Sequence, residues 1–431
     1  MFSISVSDPS HNLAAVFNMT VADVHPPLYQ VFLWLVHKVF GFGEQPGRVF
    51  SVILGVAIIP SMYFLGRRFF DERIGLFAAL LTAINFILVA EAQEARSYSL
   101  LVLLVVWSFL MLFRMIERKS FGAVLIYAAI AALLVNTHYF GFFPVMTQFV
   151  LLLYFFTRSG FDHKLFVATL VAGLIVLGSI LPIAYHIVQN LGRTDAWIQK
   201  PSRNFVVEAF IMQFGDVFVA IMSVFFIAVG MAALLRSEDK NDALKTLLLW
   251  CCLGFLIAYV KSMFFTPILS FKNTIIFVPA LIVFEAYGVA LVRDALVRWL
   301  LLLSLGALSI TYIMDEPDFS KLRIAHDLRG PLIRIESENT GWPVYGEAIN
   351  SNYFRILGSS IRVASYEMLE SGVAEHTISD CIYVLNDDRW DGRQKHVDVE
   401  LVERASYEKN SLSVFRTKHG AGCKLTSAIA P

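Results

Sequence analysis

Long apolar stretches alternate with short polar connections between residues 48 and 314. Each stretch is close to the length of about 20 residues at which an apolar helix crosses a bilayer. The pattern predicts ten membrane spans, at 48–66, 74–91, 97–113, 121–136, 140–156, 165–186, 216–235, 245–263, 273–291 and 298–314. With 57% hydrophobic and only 16% charged residues, the chain is more apolar than a soluble domain. We therefore expect an α-helical multi-pass membrane protein.

The connections between the spans fall into two sets that differ in basic residues. Alternate connections carry thirteen Lys and Arg residues in one set and six in the other. Since Lys and Arg concentrate in cytoplasmic loops, the richer set is assigned to the cytoplasm. The sequence thus predicts a plasma-membrane protein whose other set of loops, with the C-terminus, is extracytoplasmic.

The segments on either side of the spans have their own patterns. Residues 1–47 are assigned to a first outer loop, in which 26–42 is apolar but short, opens with Pro26-Pro27 and ends near His37-Lys38. We interpret 26–42 as an interfacial or re-entrant helix; if it spans the membrane instead, the protein has eleven spans and the later loops keep their sides.

After Met314 the composition becomes polar, which predicts a soluble extracytoplasmic α/β domain at 315–431. Apolar runs bounded by turn residues predict strands at 331–335, 361–365, 381–385 and 412–415. Helices are expected at 344–357 and 366–372. Cys381 and Cys423 could form a disulfide in an oxidising compartment.

The first polar motif stands just before the apolar segment at 26–42. Asp23 and His25 precede Pro26-Pro27, and a carboxylate with an imidazole could orient a hydroxyl or a phosphate, or bind a metal. The alternative is that either side chain simply caps the helix that follows. No cofactor is indicated with certainty and a divalent metal stays open, whereas a net charge of +0 argues against nucleic acid as a partner.

Other polar groups cluster in outer connections. The motif at 93–98 contains Glu94, Arg96 and Tyr98; its Arg could hold a phosphate with two hydrogen bonds, or the motif could be an ordinary interfacial anchor with a surface ion pair. His138 and Tyr139 form another outer turn. Lys272 stands at the start of a span, where it could contact a phosphate or simply extend its ammonium group to the membrane surface. Within a span, the acidic residue that we single out is Glu285, for which we favour an interhelical contact over a functional role.

Taken in order, these motifs resemble the GT-C membrane glycosyltransferases, in particular the protein O-mannosyltransferase-like branch that uses polyprenyl-phosphate sugars. The similarity is carried by the run at 23–28, by Gly66-Arg67-Arg68 and by the run at 93–98, and it extends over about 20–310. It implies a GT-C fold, a lipid-phosphate sugar as donor, and transfer on the outer face of the membrane.

The resemblance also implies roles for residues. Glu94, Arg96, Tyr98 and Lys272 are expected near the donor phosphate, Asp23 and His25 on the acceptor side, and His138 and Tyr139 along the site. Members of the family have a further span and an acidic catalytic base before the first of these motifs, which here would lie upstream of Met1. We therefore expect an N-terminally truncated form with poor transfer activity.

Two other classes of function remain open at the level of sequence. One is a membrane transporter or lipid flippase, and the other is a non-catalytic scaffold on the GT-C fold. Transporters tend to have repeated halves and polar groups near the membrane midplane. This sequence has no evident internal repeat, and its polar motifs cluster at the outer ends of the spans, which favours the transferase.

Overall fold

A computed structural model describes residues 2–23, 25–158, 162–191, 198–237, 241–315, 328–375, 377, 379–386, 390, 399–407, 410–417 and 423. Up to residue 315 the secondary structure of the described residues is helical. The helices are α1 Phe2–Val6, α2 Leu13–Ala22, α3 Leu28–Phe40, α4 Glu44–Phe69, α5 Glu72–Ile84, α6 Phe86–Ala92, α7 Tyr98–Arg118, α8 Phe121–Thr137, α9 Phe142–Arg158, α10 His163–Ile180, α11 Ala184–Leu191, α12 Phe205–Phe214, α13 Val217–Leu235, α14 Asn241–Phe264, α15 Val278–Ala290 and α16 Ala295–Asp315.

The multi-pass membrane architecture predicted from the sequence is confirmed. Within the described residues, eight helical segments are long and apolar enough to cross a membrane, and α5 with α6 would make a ninth if they form one bent span. The remaining predicted span corresponds to α8, an apolar helix of 17 residues. Helix α7 and the segment 273–290 are mostly buried inside the bundle, whereas the spans at 163–190 and 295–314 are mostly exposed.

The break between α5 and α6 has a local cause. Asn85 donates its backbone N–H to the carbonyl of Thr82, and its side-chain oxygen accepts from the backbone N–H of Leu88. An asparagine in this position ends one helix and starts the next, and the two axes differ by 59°. The Asn85 side-chain amide also donates to the carbonyl of Gln213. The bend directs α6 toward the polar turn at 93–97.

Helices α13 and α15 approach each other closely through two glycines. A Cβ added to Gly288 would lie 2.0 Å from the carbonyl oxygen of Phe226, and one added to Gly230 would lie 2.4 Å from that of Phe284. Small residues permit such backbone contacts between membrane helices. In the same interface, Ser223 donates to the Glu285 carboxylate over 2.7 Å, as the interhelical interpretation of Glu285 predicted.

We expect Gly288→Ala to destabilise the helical bundle, because the new methyl group would overlap a backbone atom that cannot move without separating α13 from α15. Overpacking of this kind costs about 1–3 kcal/mol or more. The measurement is the thermal unfolding midpoint of the purified protein in detergent. Gly173→Ala is the matched control, since a Cβ at Gly173 meets no atom within 4 Å; equal midpoints for the two variants would contradict the packing argument.

Tertiary contacts divide the chain into two units, one of residues 6–41 and 45–320 and one of residues 1–5, 42–44 and 321–431. The second contains a five-stranded mixed sheet of order β2-β1-β3-β5-β4. Strand β1 pairs in parallel with β2 and β3, and β5 runs antiparallel to β3 and β4. Its elements are α17 Arg329–Glu338, β1 Val344–Gly346, α18 Ala348–Ile356, β2 Val363–Ser365, α19 Tyr366–Ala374, β3 Cys381–Leu385, β4 Val399–Tyr407 and β5 Asn410–Thr417.

Some of the strands and helices predicted for residues 315–431 are present and others are not. The strand expected at 331–335 is wrong, because that run belongs to α17, and 344–357 begins with β1 before α18. The strands expected near 363, 381 and 412 are present, as is the helix starting at 366. The disulfide between Cys381 and Cys423 is confirmed, with Cα atoms 5.9 Å apart, the usual distance for such a bond.

Candidate active site

Most of the polar motifs singled out in the sequence come together in the helical unit. They stand before α3, in the turn between α6 and α7, just after α8, and immediately before the short turn Asn273–Phe277 that leads into α15. The residues that gather there are Asp23, His25, Glu91, Glu94, Arg96, Tyr98, His138 and Lys272. A site is thus assembled from chain segments up to about 250 residues apart.

Asp23 and His25 form a carboxylate–imidazole pair. The Nδ1 atom of His25 lies 2.7 Å from Oδ2 of Asp23, and both side chains are partly exposed. Helix α3 begins after Pro27, which forms no side-chain cap, and the capping role considered for Asp23 and His25 stays a prediction. Hydrogen bonding through Nδ1 favours the tautomer in which Nε2 carries the lone pair, and this is a chemical form suited to accept a proton.

His138 lies edge-on to His25, with ring centroids 6.1 Å apart, and its ring is 5.6 Å from that of Tyr98. Its Nδ1 atom accepts from the backbone N–H of Phe140, which orders the turn after α8. Burial lowers the pKa of His138 to about 3, and the nearby His25 and Arg96 act in the same direction. His138 is therefore a neutral wall of the site at physiological pH.

Tyr139 is oriented differently from its neighbour. Its hydroxyl accepts a hydrogen bond from the side-chain amide of Asn190 over 3.1 Å, which ties the turn to α11. The Tyr139 hydroxyl thus bonds to α11, and no contact with the groups around His138 is among those described. The site-lining role expected for Tyr139 therefore stays a prediction without a contact that supports it.

Lys272 lies between two carboxylates. Its Nζ atom is 2.8 Å from Oε1 of Glu91 and 3.2 Å from each carboxylate oxygen of Glu94. The Glu91 contact departs from hydrogen-bond angles, so it is an ion pair without an aligned hydrogen bond. Burial alone would lower the pKa of Lys272, but Glu91 and Glu94 raise it above its ordinary value. The ammonium group is therefore charged.

Glu91 was not among the residues singled out from the sequence. It ends the apolar run at 74–91 and is almost completely buried, with 1% of its surface exposed. The rule that drew attention to Glu285, an acidic residue within a predicted span, applies equally to Glu91. Its place next to Glu94, Arg96 and Tyr98 is the signal in the sequence by which it could be found.

Arg96 has a different electrostatic environment from Lys272. It acts electrostatically on Tyr98, Glu91 and His138. Among the residues that the structure describes, no carboxylate forms an ion pair with the Arg96 guanidinium. Arg96 is thus the cation of this site that has donors available for an incoming anion.

Two contacts hold the segment that carries Lys272. The Gln213 side-chain amide donates to the carbonyl of Phe271 over 2.8 Å and to the hydroxyl of Thr274 over 2.6 Å. The ring of Phe205 stacks on that of Phe271 at 5.0 Å. Helix α12 therefore holds the segment on both sides of Lys272, through the Phe271 carbonyl and the Thr274 hydroxyl.

The donor set of the site does not resemble a complete metal centre. Within the described ranges, no group of three or more His, Cys, Asp or Glu side chains is arranged to hold a metal ion. Asp23 and His25 supply two possible ligands, and the nearby Glu91 and Glu94 are instead paired with Lys272.

Comparisons with known proteins give a consistent picture of the fold. Residues 24–186 match the family model described as dolichyl-phosphate-mannose-protein mannosyltransferase. ArnT from Cupriavidus metallidurans is similar in structure in its apo state, with a TM-score of 0.63 at 12% identity over 93% of this chain and 89% of that one. Comparison with curated protein sequences gives no match.

Two further structures hold ligands of interest. ArnT from the same organism bound to undecaprenyl phosphate gives a TM-score of 0.61 at 12% identity, over 93% of this chain and 89% of that one. The Archaeoglobus fulgidus oligosaccharyltransferase AglB, in complex with an inhibitory peptide and a dolichol-phosphate, gives 0.54 at 13% identity, over 85% of this chain and 62% of that one. At these identities the similarity concerns the fold.

Proposed function

We propose that this chain, a multi-pass membrane protein with the fold of the GT-C glycosyltransferases, transfers a sugar from a polyprenyl-phosphate donor to an acceptor hydroxyl on the outer face of the membrane. The observation that carries the proposal is the neighbourhood of Arg96. An arginine without a carboxylate ion pair among the described residues and an Asp–His pair both act on His138, at the ends of membrane helices. Phosphate recognition and proton acceptance are the two requirements of this reaction.

The donor side rests on Arg96 and Tyr98. In a sugar phosphodiester the phosphate carries one negative charge, and a second develops when the bond between the sugar and the phosphate oxygen breaks. A guanidinium that meets this oxygen stabilises the transition state more strongly than the ground state. Tyr98, buried at the start of α7, contributes an aromatic wall and a hydroxyl beside Arg96.

The acceptor side rests on Asp23 and His25. The acceptor oxygen attacks the anomeric carbon, its proton passes to Nε2 of His25, and polyprenyl phosphate leaves with the electron pair of the broken bond. Asp23 stabilises the imidazolium that forms, through the 2.7 Å contact at Nδ1. This assignment differs from the sequence-based expectation that the base lies upstream of Met1, and it offers a base within the described residues.

A lipid-linked donor fits what the structural neighbours hold. One is bound to undecaprenyl phosphate and another to a dolichol-phosphate, both long isoprenoid monophosphates. The matched family description also names a dolichyl-phosphate sugar. We extend the shared feature, a polyprenyl chain carrying a phosphate, to this chain and leave the sugar and the acceptor open.

A transporter is the second candidate function, and one observation favours it. The helix pair α5–α6 is bent by 59°, and broken helices are common at the binding sites of transporters. At the bend itself, the Asn85 side chain is occupied by capping α6 and by its contact with Gln213. The polar cluster around Glu91 lies after the bend, at the end of α6. We therefore rank this function below glycosyl transfer.

Binding of a polyprenyl phosphate to the purified protein tests the proposed function. The probe is undecaprenyl phosphate in nanodiscs, and the matched control ligand is undecaprenol, which lacks only the phosphate. We expect tighter binding of the phosphate by about tenfold or more, as for a charge-assisted contact to arginine. Equal affinity for the two lipids would overturn the assignment of a phosphate site.

The outer location of the C-terminal domain is tested by labelling. Met368 on α19 is a suitable position because its side chain is 63% exposed. We expect Met368→Cys to react with a membrane-impermeant thiol reagent added to intact cells, with the parent chain as the control for Cys251 and Cys252. Labelling that appears only after the cells are opened would contradict the proposed orientation.

A further inference from the structure

The two carboxylates that share Lys272 are not equivalent. Glu91 lies in the last turn of α6 and is 1% exposed, whereas the side chain of Glu94 lies in the turn between α6 and α7 and is 29% exposed. The distance from Lys272 Nζ is 2.8 Å to Glu91 and 3.2 Å to each oxygen of Glu94. The Glu94 contact is therefore the longer and more solvent-exposed of the two, and water screens an exposed ion pair more than a buried one.

The surroundings of the two residues point to different roles. Glu91 lies on a helix, and the segment that carries Lys272 is held by Gln213, which donates to the Phe271 carbonyl and the Thr274 hydroxyl. Removing one partner of a buried ion pair leaves a charge without compensation, so Glu91 and Lys272 belong together. Glu94 lies in a turn with its side chain 29% exposed, and the Lys272 side chain is itself 39% exposed, so both are accessible to a ligand.

The charges of the site decide how a phosphate can reach Lys272. With Glu91 and Glu94 both ionised, two negative charges surround the single positive charge of Lys272, and a phosphate that enters next to Arg96 meets the excess negative charge of Glu94. A phosphate oxygen and a carboxylate oxygen are alternative acceptors for the same ammonium hydrogens. One of them must leave Lys272 before the other can bind at hydrogen-bonding distance.

We propose that Glu91 is the positioning residue that keeps Lys272 in the site, and that Glu94 occupies on Lys272 the place which the donor phosphate takes when it binds. Donor binding then exchanges Glu94 for the phosphate, while the Glu91–Lys272 ion pair persists. The inference rests on the proposed function, because it deepens the role of the same phosphate site. Glu91 is then the fixed partner, Glu94 the displaceable partner and Lys272 the cation that they share.

The exchange predicts opposite effects for two chemically identical substitutions. Glu94→Gln removes the competing charge, so we expect undecaprenyl phosphate to bind about threefold to tenfold more tightly. Glu91→Gln removes the fixed partner, so we expect binding to weaken by about tenfold. If both carboxylates only stabilised the fold, neither substitution would strengthen binding.

The experiment measures the dissociation constant of undecaprenyl phosphate for the full-length wild type, Glu91→Gln and Glu94→Gln proteins in nanodiscs. Glu91→Asp keeps the charge and should recover most of the wild-type affinity, and it remains informative if Glu91→Gln fails to fold. In a Lys272→Ala background, Glu91→Gln should have no further effect on binding, because the cation that it positions is absent.

The outcomes distinguish the inference from the proposed function. A wild-type protein that does not prefer undecaprenyl phosphate to undecaprenol removes the phosphate site and the inference with it. Preference in the wild type together with weaker binding in Glu94→Gln overturns the exchange alone. Tighter binding in Glu94→Gln and a Glu91→Gln effect that vanishes in the Lys272→Ala background are the results that we expect.

Discussion

Arg96→Ala should abolish measurable binding of a polyprenyl-phosphate donor. Truncating a hydrogen-bonded charge at a partly desolvated site costs about 2–5 kcal/mol, which corresponds to a loss of affinity of about 30-fold to several thousand-fold. The effect should exceed that of any other single cation, because Lys272 is shared by two carboxylates whereas Arg96 has no ion pair with a described carboxylate. The measurement is the dissociation constant of the lipid in nanodiscs.

The controls for Arg96 test geometry and charge separately. Arg96→Lys keeps the charge but loses the planar fork that binds two phosphate oxygens, so we expect an intermediate affinity. Arg203→Ala removes a basic residue that is exposed before α12, and it should change binding little. Equal losses for Arg96→Ala and Arg203→Ala would indicate general attraction between the protein and an anionic lipid.

Asp23→Asn should lower the turnover number of sugar transfer by about 100-fold to 10,000-fold, the usual contribution of a positioned proton acceptor. The change keeps the size of the side chain but removes the charge that stabilises a protonated His25. Affinity for undecaprenyl phosphate should be nearly unchanged, because Asp23 lies on the acceptor side. The measurement is steady-state transfer at saturating donor together with lipid binding.

Asp216→Asn is the matched control for this substitution. Asp216 caps α13 by accepting from the backbone N–H of Phe218 over 2.7 Å, and asparagine is an equally good cap. Transfer by the control should equal that of the wild type. A similar loss in both variants, or full turnover by Asp23→Asn, would remove Asp23 from the mechanism.

The membrane fold could be predicted because its physical cause is local. A run of about 20 apolar residues has few alternatives to a membrane helix, and each predicted span falls on a helix or on the bent pair α5–α6. The resemblance to the GT-C glycosyltransferases, drawn from short motifs, is confirmed at the level of the fold by the structural neighbours. The side of the membrane, which depends on charge counts, stays a prediction.

The site was only partly predictable. His25, Arg96 and His138 stand in visibly polar turns, so each could be singled out from its own neighbours. Glu91 could have been singled out from its neighbours, but its pairing with Lys272 could not be predicted, because the two residues are 181 positions apart along the chain and the contact depends on how α6 packs. The sequence grouped Glu94 and Lys272 on the donor side but gave no indication that they bind each other.

The errors in the C-terminal domain follow from short apolar runs. A run of five residues fits a strand or one face of a helix equally well. In α17 the buried residues Leu332 and Ile335 are three apart, and Arg334 pairs with Glu338 one turn later, which favours a helix. Strand β4 was missed because its residues are mostly exposed and it pairs only with β5 at the edge of the sheet.

The most direct test of the account is release of polyprenyl phosphate from a polyprenyl-phosphate hexose by the purified 431-residue chain, supplied with membranes as a source of acceptors. The account predicts release by the wild type that is lost in both Arg96→Ala and Asp23→Asn, with the lipid still bound by Asp23→Asn. A wild-type chain that binds the donor but leaves it intact, or release that persists in both variants, would contradict the assignment of this site as a glycosyltransferase centre.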